Sequence, residues 1–306
     1  MADTLVGSVI QSADFPVPVT ATDSSALSNL SSTSFAAGSP VVSATFVAPT
    51  SGMVLLSVGV AARDNGGTNR VHLAPEVYAG TSSGGTLFLA ANVTTRGVGT
   101  PGEAAAFIYR SRTTLLTGLT AGSTYYVETQ HKVSGGSTAD ITARDLTVVP
   151  VPLGGHYAGQ PVKALDFPVP VWDQDTTTIS NSTSTSYTAG SPVVSVTFDA
   201  PTSGRVLIVV GGGAGNSAGA DRIFLSPQVR LTDSSGDVVL SPSVISRGWA
   251  SDMCSSGHVY GSRESVLEGL TPGQQYYAQV MYVVAADPGG QTADISARDI
   301  TVVPLP

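Results

Sequence analysis

The amino-acid sequence contains one long unit twice. The segment SPVVSATFVAPTSG at 39–52 returns as SPVVSVTFDAPTSG at 191–204, changed only at Ala44/Val196 and Val47/Asp199. The two halves also end alike, with TADITARDLTVVPVP at 138–152 and TADISARDITVVPLP at 292–306. A repeat of this length predicts two copies of one domain rather than a solenoid of short units. We therefore predict a first domain at 1–152, with an extended N-terminal lead-in, and its duplicate at 153–306.

Composition and hydrophobic alternation predict that both domains are all-β. Charged residues make up 12% of the chain, against about 25% in an average soluble domain, and there are 34 glycines and 19 prolines. Such a composition is typical of short strands joined by tight turns. Val42, Ala44 and Phe46 alternate with polar residues, which indicates a half-buried antiparallel strand. The Ala-Pro-Thr-Ser-Gly run that follows it predicts a turn.

A repeated tyrosine motif indicates the kind of sandwich. Leu119, Gly122 and Tyr125 have the spacing L-x-x-G-x-x-Y, which returns at 270–276. This spacing is typical of the tyrosine corner, in which a tyrosine hydroxyl bonds to upstream backbone. About eight strands in roughly 140 residues exceed a fibronectin-type module of about 100 residues. We therefore predict two tandem antiparallel β-sandwich domains that are jelly-roll-like.

The charge and the ends of the chain argue against several partners and compartments. The net charge of −8 disfavours nucleic acid and anionic membranes as partners. No apolar run is long enough to span a membrane. The N-terminal residues lack the basic and apolar regions of a signal peptide, and Cys254 is the single cysteine. We expect a chain that is made in a host cytoplasm without export, with Cys254 a buried, inert thiol.

No set of reactive residues recurs in both halves. His72 and His131 align with Phe224 and Tyr282, which favours packing over metal binding. The recurring set Asp140, Arg144, Asp145 predicts a structural Arg–Asp pair at the start of the last strand. The loop that begins at Asp64 could bind Ca²⁺ weakly, although the second half lacks its carboxylate. We predict no enzymatic activity, no cofactor and no metal.

Framework motifs carry a resemblance to known proteins. The opening TF-x-AP-x-x-G pattern is similar to jelly rolls of the complement and tumour-necrosis-factor type. The combination of TFDAPTSGRVL at 197–207, LSPQVR, SRG and GLTPGQQY resembles modules in tail-associated and other virion proteins of actinobacterial phages. The resemblance implies a virion structural role and transfers no binding residue.

Three functional hypotheses follow. The preferred one is a non-enzymatic, tail-associated virion protein that acts in adhesion or assembly with other virion proteins. The alternatives are a capsid decoration or head-fibre protein, and a carbohydrate-binding adhesion module that reads host cell-surface glycans. For partner or glycan contact the candidates are Trp249, Asp252 and Tyr260, because an exposed tryptophan stacks on sugars; a Trp249 that plugs the end of the sandwich is the competing interpretation.

Oligomerisation is expected as well. Complement-type jelly rolls imply a trimer, with the six sandwiches stacked along an axis or arranged as a pseudo-sixfold ring. Met281 and Val283 lie on a strand that is apolar on both faces. Such a strand is normally covered on both sides, so we predict an interface there.

Overall fold

The fold was analysed in a computed structural model of the chain. It describes residues 16–65, 69–100, 107–135, 138–151, 168–218, 222–251, 258–284 and 292–305. The predicted domain boundary at 152/153 falls outside these ranges and stays a prediction.

Strands account for nearly all the regular structure. In the first half they are β1 (Val19–Asp23), β2 (Leu27–Leu30), β3 (Ala36–Ala37), β4 (Ser43–Val47), β5 (Val54–Asp64), β6 (Val71–Ala79), β7 (Thr86–Leu89), β8 (Val98–Gly99), β9 (Ile108–Leu116), β10 (Thr124–Val133) and β11 (Ala139–Pro150). One four-residue helix, α1 (Val93–Arg96), precedes β8.

The second half repeats this order. Its strands are β12 (Val171–Asp175), β13 (Ile179–Ser182), β14 (Thr188–Ala189), β15 (Ser195–Asp199), β16 (Val206–Ala218), β17 (Ile223–Leu231), β18 (Val238–Leu240), β19 (Trp249–Ala250), β20 (Val259–Leu267), β21 (Gln275–Val284) and β22 (Thr292–Pro304). The helix α2 (Val244–Arg247) stands where α1 does.

The strand order is that of a jelly roll. In the first half one sheet has the order β1-β11-β5-β9, with β2 also on β11. The facing sheet pairs β10 with β3, β4 and β6, and β6 with β7 and β8. If β1 and β2, β3 and β4, and β7 and β8 are each counted as one strand, the first half has eight strands. The two sheets then have the orders first-eighth-third-sixth and second-seventh-fourth-fifth. All these pairings are antiparallel, and the two Greek keys of a jelly roll give this order. The predicted all-β sandwich fold is confirmed.

Each half buries its own apolar core between two sheets. The first core includes Val42 and Phe46, as the alternation predicted, and the second includes Val194 and Phe198 at the corresponding places. Phe46 stacks on Tyr125 at 5.7 Å between ring centroids, and Phe198 stacks on Tyr276 at the same distance. The duplicated pattern thus forms two separate cores.

The predicted turn and tyrosine corner are present in both copies. Gly52 has φ +66°, and a Cβ atom there would lie 2.6 Å from the Leu119 carbonyl oxygen, so only glycine fits this turn. The Tyr125 hydroxyl accepts a hydrogen bond from the Thr120 N–H at 3.0 Å, and Tyr276 accepts one from Thr271 at 3.0 Å. Each corner joins the start of the seventh strand of the jelly roll to the loop before it.

A buried arginine recurs in each half, with a different partner from the one expected. Arg144 is fully buried, pairs with Asp23 on β1 and donates to the Pro40 carbonyl oxygen at 3.0 Å. Arg298 pairs with Asp175 and donates to the Pro192 oxygen at 2.7 Å. Neither expected partner is used. Asp145 is adjacent to Arg144 on the strand and therefore points to the opposite face, and Asp140 pairs with Arg63 instead.

Removal of a tyrosine-corner hydroxyl should destabilise the fold. Tyr276→Phe leaves the Thr271 N–H without its partner, so we expect the free energy of unfolding to fall by about 1 kcal/mol in urea titrations. Tyr109→Phe is the control, because Tyr109 is an exposed side chain, and it should change stability by less than about 0.5 kcal/mol. Equal effects of the two variants would contradict the role of the corner.

Candidate functional site

The two halves are joined by a continuous sheet. The first-half strand β8 pairs with β6 on one side and with β20 of the second half on the other, through Gly99 and Tyr260. An eleven-stranded sheet therefore runs from β12, β22, β16 and β20 into β8, β6 and β10. This junction is the most elaborate non-core arrangement among the described residues, and we treat it as the candidate functional site.

A buried ion pair lies at the centre of the junction. Arg112 on β9 is fully buried and its Nη2 pairs with the Asp299 carboxylate on β22 of the other half. Its Nη1 donates to three backbone oxygens around α1, those of Val93, Thr94 and Gly97, each at 3.1 Å. The guanidinium is thus held against the helix and aimed at the second sandwich, the geometry that makes a buried ion pair favourable.

Further polar contacts cross the junction at its edges. Arg70 donates to the His258 carbonyl oxygen at 2.7 Å, and Gln174 donates to the Thr95 oxygen at 2.8 Å. The Thr113 N–H donates to the Ser262 hydroxyl at 2.8 Å. These bonds fix the register of one sandwich on the other.

Apolar and aromatic contacts seal the junction. One cluster brings first-half residues together with second-half residues: Met53, Leu55, Leu115, Val151, Val303, Val169 and Leu207. A second cluster joins Val93 and Phe35 to Tyr260 and Ala297. The Arg96 guanidinium lies 5.5 Å from the centre of the Trp172 ring. Burial, helped by the nearby Arg112 and opposed by Asp299, lowers the pKa of Arg96 to about 10.

Of the three residues predicted for partner or glycan contact, Trp249 and Tyr260 are buried. Trp249 is buried in the second core, and a Cβ atom on Gly261 would lie 2.6 Å from its Nε1 atom. Its ring therefore fills the room that Gly261 leaves and plugs the sandwich. Tyr260 is buried at the junction, and Asp252 lies outside the described residues. An exposed Trp249 is thus a wrong expectation, because its side chain faces the core, where Gly261 leaves room for the ring.

The predicted oligomer contact is largely covered within the chain. Met281 is only 8% exposed and lies opposite Ala189 and Ser226 in the middle of its sheet, while Val283 is half-buried. The interface at these residues stays a prediction. More exposed apolar side chains lie elsewhere: Tyr109 on β9, Ile245 on α2 and Val266 on β20.

The histidine at the junction is held neutral. His72 packs edge-on against Tyr260 at 6.3 Å between ring centroids, and neither ring nitrogen has a hydrogen-bond partner among the described residues. Burial, together with Arg70 and Lys132, lowers the pKa of His72 to about 3. The side chain therefore packs as an apolar group, which agrees with the phenylalanine at the corresponding position, Phe224.

The described ranges hold few other groups that could carry chemistry. No group of three or more His, Cys, Asp and Glu side chains within them could hold a metal ion. The Asp64 carboxylate accepts a bond from the Asn69 N–H at 3.1 Å, and Gly66 and Gly67 of the candidate calcium loop lie outside the described residues. Cys254 lies outside them as well. No helix in the described part of the chain has the length and hydropathy to cross a membrane.

Comparisons with known proteins reveal only remote similarity. No family model and no curated protein matches the sequence. Among solved structures, the tandem CBM22-1–CBM22-2 domain of Xyn10C from Paenibacillus barcinonensis is 8% identical, with a TM-score of 0.26 over 93% of this chain and 92% of that one. Infectious bursal disease virus VP2 is 12% identical, with a TM-score of 0.29 over 97% and 75%. PNGase F is 11% identical, with a TM-score of 0.36 over 94% and 96%. Similarities of this size transfer no function.

Breaking the central ion pair should weaken the whole chain. Arg112→Met leaves Asp299 buried without a cation, so we expect the free energy of unfolding to fall by about 3–5 kcal/mol. The double variant Arg112→Met/Asp299→Leu should recover much of this loss in the same urea titration. Arg205→Met is the control, since Arg205 and Glu268 form an exposed pair, and its effect should stay within about 1 kcal/mol. If Arg112→Met lowered the free energy of unfolding no more than the control does, the ion pair would not be central to the junction.

The neutral His72 should make stability depend on pH. Its folded pKa lies below the ordinary value of 6.5, so the unfolded chain binds the proton first and stability falls as pH drops from about 6.5 towards 3. In His72→Phe this contribution is absent. We therefore expect the free energy of unfolding of His72→Phe, relative to that of the wild type, to rise by about 2 kcal/mol when the pH is lowered from 7 to 5. A constant difference between the two proteins would show that His72 titrates normally.

Proposed function

We propose that this chain is a non-enzymatic structural protein of a phage virion, associated with the tail and acting in assembly or adhesion. The observation that carries the proposal is the buried junction, which makes two sandwiches one stiff unit. Short-range apolar packing, a shared sheet and a buried ion pair leave little freedom between the halves. A stiff unit of this kind suits a scaffold that places contact surfaces at fixed positions.

The sequence supports the virion assignment through its framework motifs. These motifs resemble modules of virion proteins, and they are also the parts that build the fold, including the turn at Gly204 and the tyrosine corner at Tyr276. The recurring buried arginines Arg144 and Arg298 are engaged in structural bonds. We propose that the chain works as a homo-oligomer, a trimer, together with other virion proteins.

Electron microscopy of the phage particles tests this proposal. Antibodies against the purified chain, detected with gold, should label the tails of purified particles, with pre-adsorbed antibody as the control. Label on the heads would favour the capsid decoration alternative and contradict the tail location. Particles that carry no label, from lysates that contain the chain, would overturn the virion assignment.

A further inference from the structure

The junction between the halves uses a different face of each sandwich, and the duplication supplies a second copy of both faces. The first sandwich contributes what we call the plug: α1, β8 and Arg112. The second contributes the socket: the β20 edge with Tyr260 and Ser262, and Ala297 and Asp299 on β22. A contact between unlike faces leaves one face unused at each end. We propose that the plug of one chain docks into the socket of a second copy, head to tail, through Arg263 and Asp145.

The unused socket lies on the first sandwich. Tyr109, Ser111, Ala143 and Asp145 stand where Tyr260, Ser262, Ala297 and Asp299 stand in the second half, and they line an open cleft of about 230 Å³. Arg110 also lines this cleft, where the second half has Gly261, and it forms no ion pair with Asp145. Tyr109 is 72% exposed there, whereas Tyr260 in the occupied socket is 7% exposed. The cleft is therefore the empty version of a surface that the same fold already fills.

The socket carboxylate lacks a cation. Asp145 forms no hydrogen bond or ion pair with any described residue, and burial raises its pKa above the ordinary value. It lies over Gly59 on the neighbouring strand, as Asp299 lies over Gly211, so the two carboxylates occupy corresponding positions in their sheets. A guanidinium placed as Arg112 is placed would supply the missing partner.

The unused plug lies on the second sandwich. Arg263 Nη1 donates to the Val244 and Gly248 oxygens, as Arg112 Nη1 does to the corresponding oxygens of the first half. Its Nη2, the atom that in Arg112 meets Asp299, bonds to the Ile245 and Ser246 oxygens, and the side chain is exposed. Arg263 is thus pre-positioned on α2 and not yet paired with a carboxylate in the described part of the chain.

Exposed apolar side chains lie on the unused plug of the second sandwich. Val266 is 50% exposed, whereas Leu115 at the corresponding position in the occupied junction is 1% exposed. Ile245 on α2 is 88% exposed. Around them the free plug is more polar than its internal counterpart: Arg205 and Glu264 stand where the first half has Met53 and Thr113. A surface that must be soluble before docking is expected to keep such a polar rim.

The unused plug and the unused socket each have an open strand edge. In the internal junction β8 adds to the β20 edge, and Thr113 of β9 also bonds to Ser262. Among the described strands β19 pairs only with β17. The first part of β9, with the exposed Tyr109 and Ser111, pairs only with β5 among them and is open. Docking would add β19 of one chain to β9 of the next and extend the sheet across the chains, a common mode of recognition for open edges. Repetition of one unlike contact closes a ring or builds a filament.

Light scattering after gel filtration of the full chain tests the docking. Wild-type protein should have a mass that is a multiple of 31.0 kDa. Arg263→Asp reverses an exposed charge and should raise the concentration at which the oligomer dissociates by about tenfold or more. Asp145→Asn, which keeps the side-chain size, should act in the same direction. The charge swap Asp145→Arg/Arg263→Asp should restore association, and Asp199→Arg, on the exposed side of β15, should leave it unchanged.

Two results would overturn the inference. One is wild-type protein that stays at 31.0 kDa at micromolar concentration and low salt, and the other is an oligomer that Arg263→Asp and Asp145→Asn leave intact. The inference deepens the proposed function and rests on its assembly role. Its failure is distinguishable, however, because monomeric protein would remove the docking and the homo-oligomer but not the virion assignment, whereas unlabelled particles would remove the virion assignment.

Discussion

The arrangement of the whole chain depends on the ion pair that Arg112 makes with Asp299 across the two sandwiches. A buried charge without a partner is strongly unfavourable, so this pair admits few relative positions of the two halves. The carbonyl oxygens around α1 fix the guanidinium before it meets the carboxylate, and the shared β8–β20 edge fixes the direction of approach. Apolar clusters on either side then exclude water. The result is a rigid tandem unit rather than two domains on a flexible linker.

Duplication explains why this contact has a direction. Both copies inherited the arginine and the aspartate, yet one chain can join only the arginine of its first copy to the aspartate of its second. The other two members are not paired with each other: Arg263 lies on the surface, and Asp145 is half-buried beside a cleft.

The differences between the copies follow from where each one sits. At one pair of positions the first half has Val98 and Arg110, whereas the second has Trp249 and Gly261. Gly261 leaves the space that the Trp249 ring occupies in the core, so large and small residues exchange places while the fold is kept. The tryptophan that seemed suited to a ligand is therefore a packing residue. His72 and Phe224 are a comparable exchange, since a buried neutral imidazole packs much like a phenyl ring.

The repeat, the alternation of Val42, Ala44 and Phe46, and the L-x-x-G-x-x-Y spacing were enough to predict two all-β sandwiches, because these features are local along the chain. The recurrence of Arg144 and Asp145 also indicated a structural role. Which carboxylate pairs with which arginine was decided only by the tertiary structure: Asp23 and Asp299 are distant in sequence from Arg144 and Arg112, and strand pairing brings them together. The importance of Arg112 and Arg263 was missed for the same reason. Two copies of one motif look alike in sequence, and only folding determines which copy is buried and which remains open.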